Sequence, residues 1–187
     1  LQHNALLKRS FAGESVFIPP IKSDVPLINL RSNEQHNSTM FITTPIKNAQ
    51  NDVIAVLALR INPLSYFSKI TTIGRLGQSG ETYAFDRSGS LLTESRFVDQ
   101  LRKINLTKYG QQSSLNVLLK DPGGNLLKGY QPKATHNEMP YTFMAQQALK
   151  GENGINVEGY RDYRGVTVFG AWAWDKQYNF GIATEIN

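Results

Sequence analysis

Apolar and polar positions along this chain fall mostly into the two-residue alternation and short apolar runs of β-strands. Residues 166–174 and 180–186 are two aromatic-rich apolar runs, the first introduced by Arg164-Gly165 and the two separated by Asp175-Lys176-Gln177-Tyr178-Asn179. With the segment from Tyr160 they predict a three-stranded antiparallel meander at the end of the chain. Residues 38–46 and 53–61 flank Lys47-Asn48-Ala49-Gln50-Asn51-Asp52, whose turn-forming residues predict a hairpin. In residues 81–87, Thr82, Ala84 and Asp86 alternate with Tyr83, Phe85 and Arg87, and Ser88-Gly89 turns this run into Leu91-Leu92-Thr93 as a second hairpin. We expect Glu81 to Leu92 and Tyr160 to Ile186 to lie in one antiparallel sheet.

Helical signals are fewer. Residues 1–12 read as a helix end, with Leu6 and Leu7 apolar and Gly13 as the stop. A short strand over residues 15–19 and a polar, Pro-containing connection through Asn37 follow. Asn62 as cap and Pro63 at the first helical position predict a helix to about Thr72, with Leu64, Phe67 and Ile70 on one face. Gly74, Gly77 and Gly80 mark a loop. Residues 97–140 show no clear period and are broken by Asp121-Pro122-Gly123-Gly124, while residues 141–150 predict a helix ended by Gly151. This order predicts an α+β fold, PAS-like antiparallel sheets flanked by helices, in two parts, residues 1–73 and 74–187.

Composition narrows the function. With 187 residues, 40% of them hydrophobic, and a mean hydropathy of −0.35, the chain can bury a real core as one domain or two small ones. No run reaches the roughly 20 apolar residues that span a bilayer, and residues 1–12 lack the apolar core and cleavage site of a signal peptide. Leu1 is not a natural start residue, so the chain reads as an excised piece. The absence of cysteine excludes disulfides and thiolate metal sites and leaves an extracytoplasmic compartment allowed. The net charge of +5 does not make a nucleic-acid binder, because Lys and Arg occur singly or in pairs such as Lys8-Arg9 and Arg102-Lys103, with acids between and no basic stripe beside stacking aromatics.

No catalytic constellation emerges. His3, His36 and His136 are far apart and no His-Glu-x-x-His helix exists, so no metal site is expected. Gly77-Gln78-Ser79-Gly80 misses the spacing of a nucleophile elbow and precedes a strand. Gly74-x-x-Gly77-x-x-Gly80 opens no helix and lacks the Lys-Ser/Thr of a phosphate loop. No cofactor is expected. Candidate ligand-binding residues are those whose aromatic and polar groups converge on sheet faces: Tyr83 and Phe85, Trp172 and Trp174, and Tyr160 and Asp162, with Glu158 expected on the same side of its strand as the last two. The same aromatics equally suit the core and rim of a small sheet. Asp162 and Arg164 are expected to pair across the turn as a surface contact of little energetic worth.

Residues 77–92, Gly-Gln-Ser-Gly-Glu-Thr-Tyr-Ala-Phe-Asp-Arg-Ser-Gly-Ser-Leu-Leu, resemble the opening hairpin of the membrane-proximal module of double-Cache sensor domains. Residues 45–57 are similar to the last hairpin of the distal module, residues 63–73 to the helix linking the modules, and residues 160–186 to the closing strands of Cache domains in bacterial histidine kinases and nucleotide cyclases. The resemblance implies a complete membrane-proximal module and a truncated distal one, since only about ten helical residues precede the late distal strands. In that family, small ligands such as amino acids usually bind in the distal pocket, through an Arg-x-Trp-Tyr type motif and a later Asp. That motif is missing here, so none of those ligand residues carries over and amino-acid sensing is not supported.

The resemblance implies an extracytoplasmic, ligand-sensing domain of a transmembrane receptor in the cell inner membrane, most readily a sensor histidine kinase, without catalytic activity of its own. It implies an unidentified small-molecule ligand, a receptor homodimer in the full-length protein, and membrane attachment through flanking segments. The helix over residues 63–72 is the candidate coupler between modules, although an apolar stripe is also what any packed helix shows. The other readings are the sensor of a nucleotide cyclase or chemoreceptor, a non-signalling extracellular ligand-binding module, and a hydrolase with an unfamiliar site.

Overall fold

The computed structural model describes residues 2–28 and 35–187. Its elements run α1 (Gln2–Phe11), β1 (Val16–Ile28), β2 (Gln35–Lys47), β3 (Val53–Ile61), α2 (Phe67–Thr71), β4 (Glu81–Phe85), α3 (Val98–Lys103), α4 (Phe143–Ala148), β5 (Gly154–Arg161), β6 (Thr167–Asp175) and β7 (Phe180–Ile186), with 3-10 turns at Thr72–Gly74 and Leu126–Lys128. They form two units, Leu1–Tyr66 and Phe67–Asn187. Each carries one antiparallel sheet, so the fold is α+β with few helices. Among the described residues no helix is long and apolar enough to cross a membrane.

The first unit is a sheet in the order β1-β2-β3. The β2–β3 hairpin forms as its turn residues predict: the Asn48 side-chain oxygen accepts from the amides of Gln50 and Asp52, and Asn51 takes a φ of +69°. Ser10 on α1 bonds to Thr43 at 2.5 Å, and Thr43 donates to the Val16 carbonyl, fixing the helix on the sheet. The expected short strand over residues 15–19 continues to Ile28, with a register shift between Ile18 and Ile21. Pro19 and Pro20 sit in that shift, because proline cannot donate to a ladder and is tolerated at a bulge on an edge strand. The connection expected through Asn37 is therefore largely strand, and its residues 29–34 lie outside the described residues.

The helix expected over residues 63–72 is shorter. Asn62 does accept from the Leu64 amide, but residues 63–66 form turns and only Phe67–Thr71 is regular α-helix. Its buried residues are Ser68 and Thr71, while Ile70 is 65% exposed, so the stripe of Leu64, Phe67 and Ile70 is not the packed face. Three-residue spacing locates a helix without saying which side meets a core. Ser68 instead accepts from the Glu94 amide at 3.1 Å, and Phe67 meets Phe180 edge to face, both within the second unit.

The second unit holds the sheet β4-β7-β6-β5. The closing meander pairs as expected, and β4 adds beside β7 from Glu81↔Glu185 to Phe85↔Gly181, which places the two predicted segments in one sheet. The strand expected at Leu91-Leu92-Thr93 is reduced to a single bridge, Phe85↔Leu91, and one bond from the Leu92 amide to the Ala84 carbonyl. The turn before it is built by Asp86, whose Oδ1 accepts from the Ser88 and Ser90 amides. Gly89 there takes a φ of +70° against the Tyr141 ring, where a side chain would collide. Thr142 caps α4 by accepting from the Ala145 amide, and Gly151 turns the chain after it with a φ of +86°. Leu101 of α3 and Met144, Ala145 and Ala148 of α4 pack on one face of the sheet against Tyr83, Phe85, Val168, Trp172, Trp174 and Ala183. The other face carries Ile155, Val157, Phe169, Ile182 and Ile186 at the surface.

Candidate functional site

The covered face of the second sheet gathers the candidate residues. Register places Glu81, Tyr83 and Phe85 of β4 opposite Glu185, Ala183 and Gly181 of β7, and the last two opposite Trp172 and Trp174 of β6. Phe85 meets Trp174 at 6.0 Å between ring centroids, Tyr83 meets Phe85 at 6.2 Å, and Tyr160 meets Trp172 at 6.4 Å. Glycines make this density possible. A side chain at Gly181 would strike the Phe85 ring, at Gly170 the Tyr160 hydroxyl, and at Gly154 the Trp172 indole. Tyr83, Phe85, Tyr160, Asp162, Trp172 and Trp174 are all buried, and the five aromatics belong to one core cluster.

Glu158 is not with them. Between Asn156 and Tyr160 the register of β5 shifts against β6. Gly159 takes a φ of +97° there, and Asn156 Oδ1 accepts from the Glu158 and Gly159 amides. This bulge turns Glu158 to the surface. Simple alternation counted through it assigns the wrong face.

Polar groups within this core are concentrated at one end of the sheet. Glu185 is 3% exposed and accepts from the hydroxyls of Tyr83 and Tyr160, each at 2.8 Å. Glu81, directly opposite it, accepts from Tyr163 Oη at 2.6 Å, Ser95 Oγ at 2.7 Å and the Arg96 amide at 2.6 Å. Burial pushes the Glu185 carboxyl from its ordinary 4.5 up to about 8, with the charges of Asp162 and Glu81 adding to it. Burial also raises Glu81, although its hydrogen bonds oppose the shift. The folded state therefore holds a proton on Glu185 that the unfolded chain releases near 4.5. Its contribution to stability is fully present below that value and is lost as pH rises toward about 8. In urea unfolding across pH 4.5 to 8, wild type should lose stability relative to Glu185→Gln by up to one proton's worth of slope. A constant difference between the two would refute this account.

Asp162 and Arg164 do pair, but not as the surface contact their sequence spacing suggests. Their side chains are 1% and 3% exposed, at 2.6 Å. Asp162 also accepts from the amides of Arg164 and Val166, while the guanidinium bonds Gln100 and lies 3.6 Å over the Phe97 ring. The Arg164 carbonyl accepts from the Leu126 amide, and a side chain at Gly165 would collide with the Gly124 backbone. Phe97 and Gln100, from a segment with no clear period, thus meet a guanidinium that two-residue spacing at a turn would leave exposed.

Sequence reasoning missed Glu81, Glu185 and Tyr163. A glutamate inside a strand otherwise made of inward-facing apolar residues, as Glu185 is after Gly181 and Ala183, was the available signal. On the same covered face, the indole nitrogens of Trp172 and Trp174 are buried without a hydrogen-bond partner.

Beside this core, α3 and residues 104–139 enclose a cleft of about 470 Å³. Tyr163 lies in its lining and meets Tyr83 edge to face at 5.9 Å. Among the described residues no group of three or more His, Cys, Asp or Glu side chains is placed to hold a metal ion.

No protein-family model matches the sequence. No curated protein matches it either. Solved structures do match in fold. The periplasmic sensory domain of the Campylobacter jejuni chemoreceptor Tlp1 aligns with a TM-score of 0.52 at 12% identity, over 97% of this chain and 54% of the other. The ligand-binding domain of the Pseudomonas aeruginosa amino-acid chemoreceptor PctB, solved with L-Arg, gives 0.50 at 14% over 98% and 57%. The extracellular domain of a predicted histidine kinase gives 0.50 at 12% over 96% and 53%. The chain thus has the fold of periplasmic and extracellular sensory domains, in line with the Cache resemblance, and spans about half the length of the solved domains it matches.

Proposed function

We propose that this chain is the extracytoplasmic ligand-sensing region of a transmembrane signalling receptor, held in the inner membrane by flanking segments and working as a homodimer. The observation that carries the reading is the two-sheet fold shared over nearly the whole chain with sensory domains of chemoreceptors and a histidine kinase. The second unit adds what a sensor needs beyond a fold. An open cleft lies one ring away from a dense, hydrogen-bonded core, so a bound ligand can favour one packing of that core over another. A histidine kinase is the output we favour, and the chain itself is assigned no catalysis. Of the six side chains expected to serve the ligand, Trp172 and Trp174 hold donors without a partner, so a molecule reaching that face would be held by the indole N–H groups.

A screen tests this. The purified chain should show a saturable rise in melting temperature with one class of small metabolite and no turnover of it. Deleting residues 1–187 from the full-length protein in its membrane should abolish the response to that metabolite. An unchanged response after deletion, or turnover abolished by one substitution in this chain, would overturn the sensor reading in favour of the hydrolase or the non-signalling module.

A further inference from the structure

The positive charge of this chain is unevenly placed. Residues 100–140 hold six Lys and Arg against two Asp and Glu, four of the five surplus positive charges in the whole sequence. That segment builds most of the cleft. Lys103, at the end of α3, and His136 line it, with Asn105, Gln131 and Tyr130 as further polar groups and no carboxylate in the lining.

The nearby acids are already engaged. Asp121 takes a bidentate contact from Arg161 at 2.8 and 2.9 Å, Asp162 is buried against Arg164, and Glu138 accepts from Thr135. Lys120 is 8% exposed with its ammonium 3.7 Å from the centre of the Tyr141 ring. Neither Lys103 nor Lys120 has an ion-pair partner among the described residues. Burial, and then the Lys120 charge, hold His136 below its ordinary value, so at neutral pH it is an uncharged donor and acceptor. The positive potential in the cleft is therefore uncompensated from within.

The remaining walls are apolar: Ile104, Leu106, Leu126, Leu127, Pro122 and Met139. A volume of about 470 Å³ suits a small organic molecule. We propose that this cleft binds a small organic carboxylate with an apolar body, its charge on Lys103 and its hydrocarbon against the leucine and proline walls. This rests on the sensor reading and names the chemical class of its ligand.

The floor gives such a ligand a way to act. Tyr163 is 1% exposed, and its hydroxyl donates to Glu81, which stands opposite Glu185 on β7. A ligand that shifts this ring changes the hydrogen bonding of one of two buried carboxylates facing each other across the β4–β7 ladder.

Calorimetry on the chain tests the assignment with phenylacetate and 4-methylpentanoate as probes, and phenylacetamide, phenethylamine and inorganic phosphate as controls. Saturable binding of both carboxylates is expected, weakened about tenfold or more by Lys103→Met, as for a lost charge-assisted bond. Lys176→Met, at an exposed lysine outside the cleft, should leave it unchanged. Lys103 is exposed, so its variant should melt with the wild type. His136→Gln supplies a second variant, with weaker binding expected. Equal binding of phenylacetamide or phosphate, or affinity indifferent to both variants, would overturn the proposal. If the carboxylates fail to bind while another class in the screen raises the melting temperature, this assignment falls and the sensor reading stands.

Discussion

Arg164→Ala is expected to cost the second unit about 3–5 kcal/mol, the range for removing one partner of a buried ion pair. Asp162 would keep its two amide donors but lose the guanidinium that neutralises it, and Gln100 and the Phe97 ring would lose theirs. Much of the loss is the cost of a carboxylate left charged and alone in a dry site, not the strength of the pair itself. The double variant Asp162→Asn, Arg164→Met should consequently lose less than the single one, since no buried charge is stranded. Urea unfolding followed by tryptophan fluorescence reads this out cleanly, because both tryptophans of the chain, Trp172 and Trp174, belong to the second unit. A loss below about 1 kcal/mol, the value for an exposed pair, would mean that the turn is open to water in solution.

Trp172→Ala should cost a similar amount, about 3–5 kcal/mol, through the cavity left in the core. Trp172 is 7% exposed and is gripped edge to face by Phe143 and Tyr160 at 6.0 and 6.4 Å. Gly154 opposite it has no side chain to close the space. Trp172→Phe should be far milder, because the indole nitrogen has no hydrogen bond to lose. Trp174 remains as the fluorescent reporter in both. A near-neutral Trp172→Ala would identify the indole as a surface or ligand-facing group and remove it from the core.

The meander was legible because each of its strands is short, bounded by turn residues and patterned at period two: Trp172 and Trp174 point in together, and Gly165 and Asn179 adopt the left-handed conformation at the turns. Legibility failed where a local rule met a non-local partner. Alternation misplaced Glu158 because a bulge at Gly159 adds residues to one strand only. Helical spacing marked Ile70 as packed, whereas Ile70 is exposed and the buried residues of α2 are Ser68 and Thr71. The 97–140 segment showed no period because beyond α3 it is mostly loop, tied to residues outside the strands by isolated bridges, Ser90↔Leu118 and Lys120↔Tyr141. The cleft belongs to that segment, which is why nothing in the pattern revealed it.

By itself, then, the order of residues determined most of the strands, the three hairpin turns that formed, the α+β class and the five candidate aromatics that pack in one core. Those features follow from periodicity and turn chemistry, which act between near neighbours. Tertiary structure alone decided that Glu81 and Glu185 face each other in a dry core, that Asp162 and Arg164 are buried with the guanidinium against Phe97 and Gln100, and that Tyr163 lies between the Lys103 cleft and that core. Burial and desolvation depend on what the rest of the chain lays over a residue, and that is fixed only when distant segments pack.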